Sequence, residues 1–283
     1  RVILMPTSQC FAYCRFCFRK NYSHDSRKGD YGSPQDNFQK AYEYIQKDSR
    51  IREVLITGGD PLMFPEKVLE IVDHLRQIPH LTGIRVGTRI FTSDPERITK
   101  KWIKPWKELN FISIAPLSFS SHINHPEELS PQTIRALRLC IHNNIPLYNQ
   151  TVLLKGINDD PKLLIELCRS LRQIGVEPYR IYLADPLKGS EHLRVGIEKA
   201  LEIKRKMRAH ASGRIVPSFM IDTRLGKIDL EEGVVHSRKG RNVILKTPYT
   251  PAIYQSMDLH WKFPQYAKIS PDGRLLVNYE DSL

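Results

Sequence analysis

Apolar positions along the chain recur with two periods, as short continuous runs and as longer stretches spaced every three to four residues. The runs Val2–Met5, Val54–Thr57, Ile84–Val86, Phe111–Ala115, Leu147–Leu154 and Arg180–Ala184 are rich in Ile, Val, Leu and Tyr. That is the composition of strands buried on both faces. Between them, amphipathic patterns predict helices over Asn37–Lys47, Glu66–Gln77, Glu96–Leu109, Pro131–Asn143 and Lys162–Ile174. Regular alternation of strand, turn and helix implies right-handed crossovers and a parallel sheet. Six strands are too few to close an eight-stranded barrel, so the expected fold class is α/β, a partial (β/α)6 parallel barrel. A sixth helix, Val195–His210, carries Lys204-Arg205-Lys206. Beyond it, strand-like pieces such as Ile215–Ile221 and Asn242–Leu245 alternate with loops rich in Gly, Pro and Asp. The expected division is a core over residues 1–210 and a C-terminal appendage over 211–283.

Composition narrows the class. With 283 residues, 43 Lys and Arg against 31 Asp and Glu, the formal charge is +12. Recurrent apolar runs exclude a disordered polyampholyte. No stretch offers the roughly 20 uncharged apolar residues of a membrane span. Val2–Met5 is too short for a signal-peptide core, so no secretory leader is expected. The chain begins with Arg1 rather than Met, as a trimmed piece of a longer protein would. The charge itself raises nucleic-acid binding, and an RNA-binding or RNA-modifying protein is the alternative from another class. Yet the basic residues are scattered over helices and no RNA-binding motif appears, so a solvated surface and a pocket for anionic cofactors account better for them.

The cysteines change the picture most. Cys10, Cys14 and Cys17 fall within eight residues, while Cys140 and Cys168 sit singly in helical patterns. Three clustered cysteines cannot all pair among themselves, so a reduced, cytoplasmic setting is expected. The trio lies just past the first strand, at the end of a parallel sheet where ligands bind. Three thiolates suit a 4Fe–4S cluster with one iron open to a non-protein ligand. Zinc, with His24 as a fourth ligand, is the alternative left open. After the second strand comes Gly58-Gly59-Asp60, where glycines admit a close approach to the backbone and the carboxylate can meet a cation.

The spacing Cys10-x3-Cys14-x-Phe16-Cys17 resembles the signature of the radical S-adenosylmethionine (SAM) superfamily. That resemblance implies a 4Fe–4S cluster chelated by SAM, a partial (β/α)6 barrel, and SAM contacts at Gly58, Gly59 and Asp60. Longer stretches resemble the lysine 2,3-aminomutase family within it: Cys14-Arg-Phe-Cys17-Phe-Arg19-Lys, Ile56-Thr-Gly-Gly-Asp-Pro-Leu62, His122-Ile-Asn-His-Pro126, Asn149-Gln-Thr-Val-Leu-Leu-Lys-Gly-Ile-Asn-Asp159, Asp185-Pro-Leu-Lys-Gly-Ser-Glu-His192 and His210-Ala-Ser-Gly-Arg-Ile-Val-Pro217. They run in order from Arg1 to about Leu245.

The family resemblance implies exchange of an amino group and a hydrogen between adjacent carbons of an amino acid. It implies pyridoxal 5′-phosphate (PLP) as a second cofactor, attached to Lys227 in Asp222-Thr-Arg-Leu-Gly-Lys227. By position Arg1, at the phosphate, Gln150 and Tyr182 belong to the PLP pocket, and Arg15, Arg89, His122 and Asn124 line the SAM and PLP pocket. Arg19 matches the guanidinium that holds the substrate carboxylate. Asp185 and Asp222 match the acid pair that receives a distal ammonium, which favours lysine, then ornithine or arginine. A small amino-acid substrate, a reductant such as flavodoxin or ferredoxin, and no membrane partner follow; a homo-oligomer is compatible. Three departures stand out. The loop before Lys227 is two residues shorter than the family's glycine-rich one, which leaves open a radical SAM enzyme of the same family that acts on another amino acid or works without PLP. Asn158-Asp159-Asp160 stands where some relatives have Asn-Asp-Cys, so their structural zinc site is not expected. Ile114–His122 reads as longer than the usual strand and turn.

Overall fold

The computed structural model describes residues 1–19, 37–111, 115–258 and 260–282. An eight-stranded sheet runs in chain order. Its strands are β1 (Val2–Leu4), β2 (Glu53–Ile56), β3 (Gly83–Thr88), β4 (Leu117–Ser121), β5 (Leu147–Leu153), β6 (Glu177–Leu183), β7 (Ser218–Thr223) and β8 (Gly226–Asp229). β1 to β5 pair in parallel, β7 pairs parallel to β6, and β8 turns back antiparallel on β7. The fold is an open α/β sheet of the parallel half-barrel type, the class the alternating pattern predicts, with β7 and β8 added from the region beyond residue 210.

Helices connect the strands: α1 (Gln39–Lys47), α2 (Pro65–Leu75), α3 (Lys100–Phe111), α4 (Pro131–Ile141), α5 (Pro161–Ile174) and α6 (Ile197–His210). Their local chemistry is legible. Pro65 opens α2, which buries Val68, Ile71, Val72 and Leu75, one face at 3.6-residue spacing. Ser130 caps α4 by accepting from the Thr133 amide at 3.1 Å, and Pro131 follows it. α5 ends at Gly175, whose φ of +100° suits a residue without Cβ.

The chain divides into two compact units, one of Arg1–Gln150 with Leu167–Tyr179 and one of Thr151–Glu166 with Arg180–Leu283. In the first, Val54, Ile56, Ile84, Val86, Leu117 and Phe119 form the buried strand layer, and helical side chains such as Trp106 and Leu75 complete one continuous core. In the second, a four-stranded antiparallel sheet runs in the order β11 (Ala267–Ile269), β12 (Leu275–Glu280), β10 (Asn242–Lys246), β9 (Val235–Lys239). A short helix, α7 (Pro251–Met257), follows β10. Among the described residues no helix is long and apolar enough to cross a membrane.

One strand is displaced from its expected place. Phe111 closes α3, residues 112–114 lie outside the described set, and the fourth strand is Leu117–Ser121 rather than Phe111–Ala115. Pro116 has no amide hydrogen for a ladder, but its carbonyl accepts from Ile84, and the strand begins after it. Leu117 and Phe119 alternate with Ser118 and Ser120, and Trp106 packs edge-on against Phe119 at 5.3 Å. The run of serines hides this strand from an apolar-run search. The segment Ile114–His122 is largely this strand.

Candidate active site

In the first unit the cysteine loop leaves β1 and lies directly against the turn after β2. The Gly59 amide donates to Thr7 O at 2.7 Å and the Asp60 amide to Gln9 O at 2.6 Å. A Cβ on Gly59 would lie 2.1 Å from the Gln9 carbonyl oxygen, and Gly58 has φ of +133° with the Thr7 oxygen 2.7 Å from its Cβ position. The backbone these glycines admit is thus the chain's own. Side-chain bulk at either would push the cysteine loop away.

Asp60 is buried and its carboxylate is fully engaged. It accepts from Thr88 Oγ1 at 2.8 and 3.0 Å, from the Arg89 amide at 2.7 Å and from the Leu62 amide at 3.1 Å. Burial raises its pKa, against these bonds and the Arg89 charge. Arg89, at the end of β3, donates through Nη1 to Cys14 Sγ at 3.0 Å and through Nη2 to Glu128 Oε1 at 2.8 Å. Glu128 Oε2 in turn accepts from the Asn124 amide at 2.6 Å. His122 is half-buried, its ring 5.5 Å from that of Phe16, and its enclosed Nε2 meets no hydrogen-bond partner among the described residues. Burial, then the Arg89 charge, pushes its pKa down to about 3, so the imidazole is neutral.

Asn149 on β5 secures the same turn. Its Oδ1 accepts from the Ile123 amide and from Ser121 Oγ, each at 2.9 Å, and its Nδ2 donates to Ile123 O at 2.9 Å. Next to it, Gln150 Nε2 donates to Ser120 Oγ at 2.8 Å. Arg19 reaches Thr57 Oγ1 at 3.5 Å, and Arg1 is exposed at the start of β1. Glu128 and Thr88 carry no motif of their own, and their proximity to His122–Pro126 and Arg89 is the signal that would find them; Asn149 opens the Asn149–Asp159 stretch, and its role shows only in these bonds.

Cys10, Cys14 and Cys17 are half-buried thiols outside any disulfide. Burial, followed by the Asp60 charge, pushes Cys10 up to about 11, and Cys17 and Cys14 act in the same direction. Three soft donors close enough to repel one another as thiolates call for a cationic centre, which the irons of a 4Fe–4S cube provide. The residues present fit that group, and Arg89 adds a cation at Cys14. Among the described residues no three His, Cys, Asp or Glu side chains are grouped to hold a single metal ion. A cube binds its three cysteines on separate irons and does not need that grouping. His24, the zinc alternative's fourth ligand, lies outside the described residues.

The second unit gathers the remaining candidates. In the β7–β8 hairpin Asp222 and Lys227 are register partners. Lys227 Nζ lies 3.8 Å from Asp222 Oδ2 and 4.4 Å from the centre of the Tyr182 ring. Asp185 follows β6. Burial, then the Asp222 charge, raises its pKa to about 6, opposed by Lys227 and Arg194. An amine, an aromatic face and two carboxylates therefore share one neighbourhood; the amine and the ring fit PLP attached at the lysine, and the carboxylates fit a cationic group beside it.

A parallel half-barrel with a trio of thiols past its first strand is an α/β scaffold whose donors suit a metal cluster. The chain belongs to the Radical SAM superfamily, whose sequence profile matches residues 4–168, and 4Fe–4S and SAM are that superfamily's cofactors. It is 38% identical over 249 residues to the L-lysine 2,3-aminomutase of Fusobacterium nucleatum, covering 87% of this chain and 57% of that protein. It is 36% identical over 249 residues to the L-lysine 2,3-aminomutase of Clostridium subterminale, covering 87% and 58%. To the glutamate 2,3-aminomutase of Clostridioides difficile it is 33% identical over 229 residues, covering 80% and 52%. The chain thus spans little more than half the length of these relatives. Streptococcus suis SuiB shares the fold, with a TM-score of 0.57 at 11% identity over 78% of this chain and 49% of that one.

Proposed function

We propose that the chain carries the core of a radical SAM, PLP-dependent 2,3-aminomutase that moves the α-amino group of lysine, or a similar basic amino acid, to the β-carbon. The observation that carries this reading is the joint placement of Asp185 and Asp222 with Lys227 and Tyr182. When bound, the cluster and SAM supply a carbon radical that takes a substrate hydrogen, and PLP supplies the π-system that eases nitrogen migration. Cys10, Cys14 and Cys17 hold the cluster, and Arg89 compensates thiolate charge at Cys14. Gly58, Gly59 and Asp60 shape the SAM end, with Asp60 fixing the start of the Arg89 segment. Neutral His122 and Asn124 line the adjoining turn, held by Glu128 and Asn149.

Lys227 supplies the amine for PLP and Tyr182 an aromatic face; Gln150 and, at the phosphate, Arg1 complete the set. Arg19 receives the substrate carboxylate. Asp185 and Asp222 receive the distal ammonium, and the same two carboxylates disfavour an acidic side chain such as glutamate's. Residues 1–210 carry the radical chemistry and 211–283 contribute Asp222 and Lys227. Flavodoxin or ferredoxin suits the one-electron reduction.

The test is anaerobic incubation with SAM, PLP, a strong reductant and L-lysine, with mass spectrometry of the amino acids. β-Lysine and 5′-deoxyadenosine are expected. Absence of an amino-group shift with lysine, ornithine and arginine alike overturns the reading. Likeness to a glutamate 2,3-aminomutase makes another amino acid of the same family the second reading. Turnover of glutamate in preference to lysine would establish it.

A further inference from the structure

The turn that carries Lys227 is held from outside by three phenols. β7 and β8 are joined by Arg224 and Leu225 alone, since Thr223 and Gly226 are register partners. Within the turn Thr223 Oγ1 donates to Gly226 O at 2.7 Å and accepts from the Leu225 amide at 3.1 Å, and Gly226 takes φ of +92°. A loop this short turns backbone carbonyls away from its own ladder, and each then needs a donor. Tyr266 Oη donates to Arg224 O at 3.1 Å, Tyr254 Oη to Leu225 O, and Tyr249 Oη to Lys227 O at 2.5 Å.

The donors are themselves constrained. The Tyr249 and Tyr254 rings meet at 66° with centroids 5.5 Å apart, and Trp261 stacks on Tyr254 at 5.0 Å and 13°. Phe263 meets Trp261 edge-on at 6.1 Å. Arg224 places its guanidinium carbon 5.5 Å from the Tyr266 ring centre. The Leu275 amide donates to Tyr249 O at 2.8 Å, tying this group to β12. A phenol ring has two torsions, so a packed ring presents its hydroxyl at a fixed point. A lysine amine, by contrast, rides on a long, soft side chain whose only rigid reference is its own backbone.

We propose that Tyr249, Tyr254 and Tyr266 are positioning residues that set the backbone at Arg224–Lys227 and so aim the Lys227 amine. The proposal rests on the reading of Lys227 as the PLP lysine.

The test compares the protein with Y249F/Y254F, which keeps both rings and removes two hydroxyls. Each is incubated over a range of PLP concentrations and reduced with borohydride, and the adduct is mapped to Lys227 by peptide mass spectrometry. Amide hydrogen exchange is followed in parallel over residues 223–229. The expected result is an adduct midpoint raised about tenfold, with faster exchange in the hairpin. Y266F alone, which removes a single phenol hydroxyl, should raise the midpoint about twofold and keeps the test available if the double variant does not fold. A merely structural role lowers the melting temperature and leaves the midpoint of the folded protein unchanged. Superimposed trapping curves overturn the clamp, whether or not the hairpin exchanges faster. Failure of the unaltered protein to form any adduct at Lys227 overturns the lysine assignment instead.

Discussion

The two candidate regions are built in opposite ways. Around the cysteine loop, position is set by main chain and by buried polar groups that each make several bonds: Gly59 against Gln9, Asp60 with Thr88 and the Arg89 amide, Asn149 with Ile123. Around Lys227, the chemistry sits on partly exposed side chains, Asp222 and Lys227 each 36% accessible, and only the turn beneath them is fixed. A site proposed to bring three sulfurs to one cluster needs its backbone closely fixed. A site that receives a side chain and a detachable cofactor can leave its tips in solvent, provided their roots are held. Substitutions in the first region should therefore cost stability, and those in the second should alter chemistry at little structural expense.

The comparison is most severely tested at Gly59. Gly59→Ala places a methyl carbon inside the contact distance of the Gln9 carbonyl, so the loop must move. A loss of about 3 kcal/mol or more is expected from such overpacking, with iron content falling well below the unaltered protein's. Denaturant melts and iron analysis of reconstituted protein check it; normal values for both would break the contrast. Asn149→Ala comes next. It removes three buried hydrogen bonds and should cost about 3 kcal/mol, read as a lower denaturation midpoint at unchanged slope.

In the second region Asp185 carries an electrostatic cost rather than a gain. Its carboxyl holds its proton to about 6, against 3.8 ordinarily, because of burial and Asp222. The folded state binds that proton more tightly than the unfolded chain. Stability from this group is therefore complete below pH 3.8 and lost as pH rises through about 6. Asp185→Asn should remove that decline and raise stability at pH 7 by about 2 kcal/mol, while weakening selection for a basic amino acid. Thermal melts between pH 4 and 8 test the sign; a variant less stable than the parent at pH 7 contradicts it. The smallest effect is expected at Lys227→Ala. The Asp222 contact is half-exposed, so the melt should move by about 0.5 kcal/mol or less while the borohydride-trapped PLP adduct vanishes.

Much of this was legible in the residues alone. β1, β2, β3, β5 and β6 fall on or beside the apolar runs, because each turns apolar side chains to the core; the residues between them, as in β3 and β5, are only half-buried and several are polar. β4 escaped because Ser118, Ser120 and Ser121 are polar yet paired within the sheet, as the Ser121–Asn149 and Gln150–Ser120 bonds show. The cysteine trio is a local spacing and could be read directly. Glu128 and Thr88 could not, since their roles come from Arg89 and Asp60, residues 39 and 28 positions away in the chain. The phenol clamp lies further still beyond pattern reading. Nothing in Tyr249, Tyr254 or Tyr266 marks them apart from other surface aromatics until the hairpin carbonyls are placed beneath them.

The order of residues alone determined the parallel α/β class, the thiol loop and the presence of an acid pair with a lysine, because periodicity and short-range spacing are properties of neighbouring residues. Tertiary structure decided what those groups touch. It made the Gly58-Gly59 turn a seat for the cysteine loop, turned Asp60 into an internal anchor, neutralised His122 and brought Tyr249, Tyr254 and Tyr266 onto the Lys227 turn. Burial and through-space charge depend on distances between chain segments far apart in sequence, and only the folded chain sets those distances.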